Sequence, residues 1–103
     1  ADLSNASFIN ARFADAGFEG ADLAYANFTG ADLSYARLRG ARLLGANLRG
    51  ADLAYADFSG ANLAHADLTG ARVGTAAWQD AVLDGAVWVD GRRCATGSTG
   101  ACR

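Results

Sequence analysis

His65 is the only histidine in the 103-residue sequence, and it is the first candidate for a catalytic group. A histidine acts as a general base when a nucleophilic side chain and an orienting carboxylate lie beside it. In the repeat pattern described below, the residues equivalent to His65 are Tyr25, Gly45 and Gly85, which supply neither group. We therefore expect His65 to be an exposed turn residue and predict no Ser-His-Asp arrangement.

Two aspartates, Asp32 and Asp52, are the second candidate for chemistry. In the fold inferred below, their carboxylates approach to about 5 Å, which is near the separation of a retaining glycosidase pair. They would lie on a flat, hydrated face without a cleft. This location favours solvated surface side chains over a catalytic pair.

Phosphate, cofactor and metal sites are poorly supported by the residue types. The 13 glycines follow a repeat rather than one loop, and no lysine is present to complete a phosphate-binding loop. The two cysteines and His65 provide at most three soft metal ligands. The sequence therefore predicts no catalytic, cofactor-binding or metal-binding residues, and a protein that is not an enzyme.

Composition narrows the class of protein further. The formal net charge is −2, from 9 basic and 11 acidic residues, and apolar residues form 51% of the chain without a long apolar run. These values exclude a polybasic nucleic-acid binder, a membrane-spanning chain and a charge-driven disordered tail. We expect neither nucleic acid nor a membrane as a partner.

An uninterrupted period of five residues organises the chain from Ala1 to Asp90. Position one of each of the 18 units is alanine, and position three is a large apolar residue, such as Leu3, Phe8 or Trp88. Position two is mostly Asp, Asn or Arg, and position five is glycine in eight units. Because tyrosine or histidine stands at position five in other units, we expect that a positive φ is not required there.

A period of five excludes an amphipathic helix, because five residues advance about 500° and the apolar positions would spiral around the cylinder. In an extended chain, positions one and three share a face. Since five is odd, the chain must bend once per unit to keep that face inward. The pattern therefore predicts a β-solenoid whose coils stack about 4.8 Å apart.

Units such as 21–25, 26–30 and 61–65 resemble the A-(D/N)-L-x-x signature of the pentapeptide-repeat family, and the resemblance covers residues 1–90. It implies an all-β fold, a right-handed quadrilateral parallel β-helix (a pentapeptide-repeat β-solenoid) with four pentapeptides per coil. The 90 residues would then form about four and a half coils. Residues 91–103 would follow as a C-terminal capping tail.

With twenty residues per coil, residue n lies below residue n+20. One interior column is then entirely leucine: Leu3, Leu23, Leu43, Leu63 and Leu83. Outside, the register pairs Arg12 with Asp32, Asp22 with Arg42, Arg37 with Asp57, Asp52 with Arg72, and places Glu19 beside Arg39. Exposed pairs of this kind contribute about 0.2–1 kcal/mol each.

The same register forms a candidate patch for binding a protein partner, composed of Asp32, Ser34, Tyr35, Asp52 and Tyr55. Paired tyrosines beside acids suit protein contacts. The alternative is a cross-strand aromatic ladder that only stabilises the sheet, which the small size of the group favours.

The two ends of the repeat differ. At the C-terminal end, Cys94 and Cys102 suit a disulfide loop folded back over the last coil. The N-terminal coil has no comparable cap, and Ala1 already stands in register, which suggests either processing or a longer repeat array. The apolar residues Leu3, Phe8 and Phe13 then predict a dimer or oligomer through this end.

The sequence leaves two functions open. The first is a non-catalytic structural or protein-interaction module with an unidentified protein partner, exported from a bacterium. The cysteine pair favours an extracellular or periplasmic location over the alternative, the cytoplasm. The second, implied by family members that mimic DNA, is binding to a type II topoisomerase (gyrase) with protection against quinolones. The net charge of −2 and the interspersed arginines disfavour it.

Overall fold

The structure, a computed structural model, describes residues 2–103, so the prediction for Ala1 lies outside the described residues. Within this range there is no helix and no continuous strand, and the regular elements are single bridging residues at position two of each pentapeptide and at Arg93 and Thr99. In the first fourteen pentapeptides these residues bridge upwards. Each bridges in parallel to the residue twenty positions later, from Asp2 with Asp22 to Asp67 with Val87. The chain is therefore a parallel β-solenoid, and its bridges follow the register of n with n+20. No helix in residues 2–103 could cross a membrane.

Backbone hydrogen bonds along the axis hold neighbouring coils together. The N–H of Leu43 donates to the C=O of Asn62 at 2.7 Å, and the N–H of Asn62 donates back to Ala41 at 3.0 Å. Between consecutive pentapeptides of one coil, the N–H of Ala46 donates to the C=O of Leu43 at 3.0 Å and closes a β-turn. The one bend per unit inferred from the odd period is this turn.

The third residue of each four-residue turn, at position five, mostly has a left-handed backbone. Tyr25, Tyr35, Tyr55 and His65 have φ between 59° and 61°. The sequence predicts that a positive φ is not required at position five because tyrosine and histidine occur there. These residues adopt a positive φ, so the premise of that prediction is wrong. The left-handed region costs a residue with a Cβ about 1–2 kcal/mol, and the turn and ladder hydrogen bonds offset this cost. Thr75, whose branched side chain tolerates the region poorly, does not adopt it.

The Asp and Asn residues at position two have a structural role that sequence reasoning missed. Asp57 Oδ1 accepts the backbone N–H of Ser59 at 3.0 Å and the Ser59 hydroxyl at 2.6 Å. Asn62 Oδ1 likewise accepts the N–H of Ala64 at 3.0 Å. These Asx turns pair the position-four N–H, which points away from the neighbouring coils. Short side chains with an acceptor oxygen therefore recur at position two.

The interior is filled by the alanines at position one and the large residues at position three. In the middle coils, Ala46, Leu43 and Phe28 are all 0% exposed. Aromatic rings continue this stacking at both ends: the Phe8 and Phe28 centroids lie 5.1 Å apart. The inward orientation predicted for positions one and three is observed in the structure.

Replacing Ala41 by leucine is expected to lower the free energy of unfolding by about 1–3 kcal/mol or more, because Ala41 is 1% exposed where the bent backbone leaves little room. Urea denaturation measures the change. Ala54→Leu is the matched control, since position four is only half-buried and we expect a change within about 0.5 kcal/mol. Equal losses in both variants would contradict the inward assignment of position one.

Residues 91–103 cross back over part of the last coil. Val87 bridges Arg93 and Val82 bridges Thr99, both in antiparallel orientation. The reversal follows Trp88, whose C=O accepts the N–H of Gly91 at 2.9 Å, and Gly91 has φ of 84°. A glycine after a tight turn permits this left-handed residue, which redirects the chain.

The returning segment is anchored to the coil by its backbone and closed by a disulfide. The N–H of Cys94 donates to Ala86 at 2.7 Å, and the C=O of Ser98 accepts the N–H of Leu83 at 2.8 Å. Cys94 and Ser98 are 2% and 0% exposed, and the structure joins Cys94 to Cys102. The tail therefore replaces a further coil above residues 81–90.

Candidate functional site

The candidate patch forms one corner of the solenoid, which we call the tyrosine corner (Asp32, Ser34, Tyr35, Asp52 and Tyr55). The rings of Tyr35 and Tyr55 stack with centroids 4.9 Å apart and planes 13° apart. Both side chains are more than half exposed, at 54% and 57%. Because adjacent coils place equivalent turns one above the other, two tyrosines at position five form this stack without further packing partners.

The acidic residues of the tyrosine corner are held by their own turns. Asp32 Oδ1 accepts the N–H and the hydroxyl of Ser34, at 3.0 and 2.7 Å. The Ser34 hydroxyl bond, the Ser34 N–H bond and the positive charge of Arg12 lower the pKa of Asp32 below its ordinary value. Asp52 faces Arg72 with 3.9 Å between Oδ2 and Nη1. The structure thus brings all five predicted residues to one corner of the solenoid.

A second aromatic corner lies elsewhere on the solenoid, where rings cover glycines. A Cβ on Gly45 would lie 2.4 Å from the Tyr25 ring, and one on Gly85 would lie 2.6 Å from His65. The glycines therefore make room for the rings of the preceding coil. His65 is a turn residue at the predicted position.

The ion pairs differ in part from those expected from the register. Asp22 and Arg42 pair at 3.3 Å, as predicted. Glu19 pairs with Arg37 at 3.3 Å rather than with Arg39, so that prediction is wrong.

Arg39 instead contacts Asp57 at 3.2 Å. Asp57 therefore pairs with Arg39 and not with Arg37, which the register predicts. The reason is geometric: an arginine is long enough to reach an acid 18 residues away on the neighbouring coil as well as one directly above it. Arg49 and Asp67 pair in the same way at 3.1 Å.

The turn carboxylates predict an acid-sensitive stability. The hydrogen bond from the Ser59 hydroxyl lowers the pKa of Asp57 in the folded state, and the Ser59 N–H and Arg39 lower it further. Partial burial raises this pKa but does not cancel the effect. The unfolded chain therefore binds this proton first as pH falls. The stabilisation is present above the ordinary value of about 3.9 and is lost as pH falls through the lowered pKa.

We expect the unfolding free energy of Asp57→Asn to fall less than that of the wild type between pH 5 and about 2, measured by urea denaturation. Asparagine keeps the Asx acceptor, as Asn62 shows, and removes the titration. Asp84→Asn is the control, because Asp84 makes no such turn bond among the described residues. Parallel pH profiles for Asp57→Asn and the wild type would contradict this account.

No pocket is present in the part of the chain that the structure describes. Residues 2–103 also contain no group of three or more His, Cys, Asp or Glu side chains that could hold a metal ion. Asp32 and Asp52 are bridge partners on the outer surface, in agreement with the location expected from the sequence. The surface chemistry of the molecule is therefore that of aromatic corners, ion pairs and its C-terminal end.

The repeat is matched by a family model described as pentapeptide repeats, in eight copies over residues 1–40 and 31–70. Among curated proteins, no sequence is significantly similar to this chain.

Several solved structures are similar to this one. A pentapeptide repeat protein from the Arabidopsis thaliana thylakoid lumen is 36% identical, with a TM-score of 0.68 over 82% of this chain and 63% of that chain. A pentapeptide repeat protein from the cyanobacterium Cyanothece 51142 is 33% identical, with a TM-score of 0.68 over 84% and 63%. The chain thus spans less than two thirds of the length of these proteins.

A further similar structure is that of QnrB1, a plasmid-mediated fluoroquinolone resistance protein. It is 28% identical, with a TM-score of 0.54 over 84% of this chain and 57% of that chain. The similarity extends across most of the solenoid and supports a right-handed β-helix.

Proposed function

Because this chain belongs to the pentapeptide-repeat family, we propose that it is a non-catalytic protein-interaction solenoid whose contact surface is the tyrosine corner. Its solenoid is quadrilateral, with about four and a half coils. This winding is supported by bridges offset by twenty residues and by four turns within each such interval.

The observation that carries the proposal is the exposed stack of Tyr35 on Tyr55. The two rings are held 4.9 Å apart and remain more than half exposed, so they contribute little to the core. Tyrosine is enriched at protein contacts because it buries a large apolar ring while its hydroxyl keeps a hydrogen-bond partner. The carboxylates of Asp32 and Asp52 lie on the same edge and add polar contacts at its rim.

The test compares immobilised wild-type chain with the double variant Tyr35→Ser/Tyr55→Ser. Proteins retained from an extract of the source organism are quantified by mass spectrometry. We expect a partner that is retained by the wild type and lost with the double variant.

The matched control is Tyr25→Ser, which removes a tyrosine of similar exposure (59%) and similar φ (60°) from the other corner. This variant is expected to retain the partner. Identical sets of proteins on all three chains would overturn the assignment of the tyrosine corner.

The second candidate function is binding to a type II topoisomerase with protection against quinolones. The similarity to a fluoroquinolone resistance protein favours it. The charge pattern opposes it, because Arg37, Arg39, Arg42 and Arg49 pair with acids and interrupt any continuous negative surface. The test is whether low micromolar concentrations of the chain inhibit the DNA supercoiling that gyrase catalyses. Inhibition would favour this candidate over the first, and we expect none.

The proposed location is an oxidising compartment, extracellular or periplasmic. The disulfide between Cys94 and Cys102 supports it, since such bonds persist mainly outside the cytosol. The thylakoid lumen origin of one similar protein also fits export from the compartment of synthesis. A thiol titration of the protein purified from its source without reductant is expected to find no reactive thiol. Two reactive thiols would favour the cytoplasm.

A further inference from the structure

The last coil is covered along only half of its perimeter. The tail pairs with residues 81–90, whereas no backbone group within residues 2–103 pairs with the outward edge of residues 71–80. The unpaired groups on this open edge are the N–H groups of Val73, Thr75, Trp78 and Asp80 and the C=O groups of Ala71 and Ala76. An edge with unpaired backbone donors and acceptors is a template for an added strand.

The interior beneath the open edge is also incomplete. Val73, Ala76 and Trp78 are only half-buried, whereas Leu83, under the tail, is 0% exposed. Trp78 stacks on Phe58 of the preceding coil with centroids 4.6 Å apart. Trp78 also contacts Trp88 edge-on, with ring centroids 5.4 Å apart, and remains only half-buried, so a side chain from an added strand could cover its exposed part.

We propose that the open edge 71–80 binds a ten-residue segment of another protein that carries two pentapeptide units and bends once in each of them. This inference rests on the proposed role as a protein-interaction module and names the chemistry of a partner. An alanine at position one and a large apolar residue at position three of the segment would cover the half-buried interior. Its backbone would supply the missing partners.

The lower coils show the pairing that such a segment would make. Residues 51–60 lie over residues 31–40, where Asp52 accepts the N–H of Leu33 at 2.8 Å and donates to Ala31 at 2.9 Å. Ala54 similarly accepts the N–H of Tyr35 at 2.9 Å. The open edge presents the same types of group in the same order, except that Thr75 lacks the left-handed backbone of Tyr35. One parallel segment would therefore pair with the groups other than the N–H of Thr75.

The tail favours a single segment over a whole second solenoid. It occupies the layer directly above residues 81–90 and runs antiparallel to them. A complete coil of a second molecule would need that same layer and would collide with the tail. The part of this layer that the tail leaves free lies above residues 71–80, which suits one peptide segment that pairs through its backbone.

The probe is a capped synthetic peptide with the sequence of residues 51–60, ADLAYADFSG, added to the oxidised full chain. Amide exchange is followed by NMR. Saturable protection of the Val73 and Trp78 amides is expected, while the amides of Leu83 and Trp88, already bonded to the tail, change little. A peptide of the same composition in scrambled order is the control.

The decisive variants are Val73→Pro and Val73→Ala. Both shorten the side chain, but only proline removes the N–H, which has no acceptor in the described chain, so the fold tolerates it. We expect Val73→Pro to bind the peptide about tenfold more weakly than Val73→Ala. Circular dichroism checks that both variants are folded.

Three results would overturn the proposal: no protection at millimolar peptide, equal protection by the scrambled peptide, or equal affinity of the two variants. Protection of the same amides that rises with the concentration of the chain alone would also overturn it, because a second copy would then be the occupant. Loss of the partner in Tyr35→Ser/Tyr55→Ser is measured separately. The proposed function can therefore stand when this inference fails.

Discussion

Leu43→Ala is expected to lower the free energy of unfolding by about 2–5 kcal/mol. Leu43 is 0% exposed, and Leu23 below it and Leu63 above it are equally buried. Their coils are fixed by backbone hydrogen bonds of 2.7 Å, such as that from Leu43 to Asn62, so the walls of the new cavity cannot collapse. Urea denaturation followed by circular dichroism measures the loss.

The adjacent residue provides the matched control. Leu44 stands at position four of the same unit and is not among the buried core residues. Leu44→Ala removes the same atoms from the same turn, and we expect a loss below about 1 kcal/mol. Equal losses for Leu43→Ala and Leu44→Ala would contradict the assignment of inward and outward positions.

Opening the disulfide is the second change with a large expected effect. Reduction, or the double variant Cys94→Ala/Cys102→Ala, is expected to lower the free energy of unfolding by about 2–3 kcal/mol. The bond joins two residues that are eight positions apart in the sequence. The loop that it closes contains Ser98, whose C=O accepts the N–H of Leu83. Without the loop, the backbone edge and apolar interior of residues 81–90 become exposed to water.

Urea denaturation with and without dithiothreitol measures the effect of the disulfide. The double variant serves as its own control, because it has no bond to reduce and its stability is expected to be independent of reductant. Wild-type stability that does not change on reduction would show that the hydrogen bonds of the tail suffice to hold the cap.

The solenoid was predictable because two constraints act at every unit. Alanine at position one and a large apolar residue at position three require one inward face, and an odd period requires one bend per unit. The twenty-residue register came from the family resemblance, and the bridge of Asp32 with Asp52 follows it. The stack of Tyr35 on Tyr55 follows from the register alone, since equal positions in adjacent coils must meet.

The left-handed backbone at Tyr35 and His65 was not predictable from residue type. A steric penalty of about 1–2 kcal/mol disfavours it locally, and the ladder bonds that help to offset it, such as that from Tyr35 to Ala54, involve residues of another coil. The pairing of Glu19 with Arg37 was missed for a related reason. The twenty-residue register pairs only equivalent positions of adjacent coils. A long arginine side chain can reach several acids on the neighbouring coil.

The open edge 71–80 also escaped sequence reasoning. Val82 and Val87 are apolar residues at position two, and the tail bridges both of them. The direction in which a tail crosses a coil, and how much of the coil it covers, depends on the turn at Gly91. No periodicity extends into that segment to predict it.

The most direct test of the central claim is NMR detection of scalar couplings across backbone hydrogen bonds. The solenoid predicts a coupling from the amide nitrogen of Leu43 to the carbonyl carbon of Asn62, and one from the amide nitrogen of Asn62 to the carbonyl carbon of Ala41. Couplings from these amides to carbonyls four residues earlier, or to partners at another offset along the chain, would contradict it.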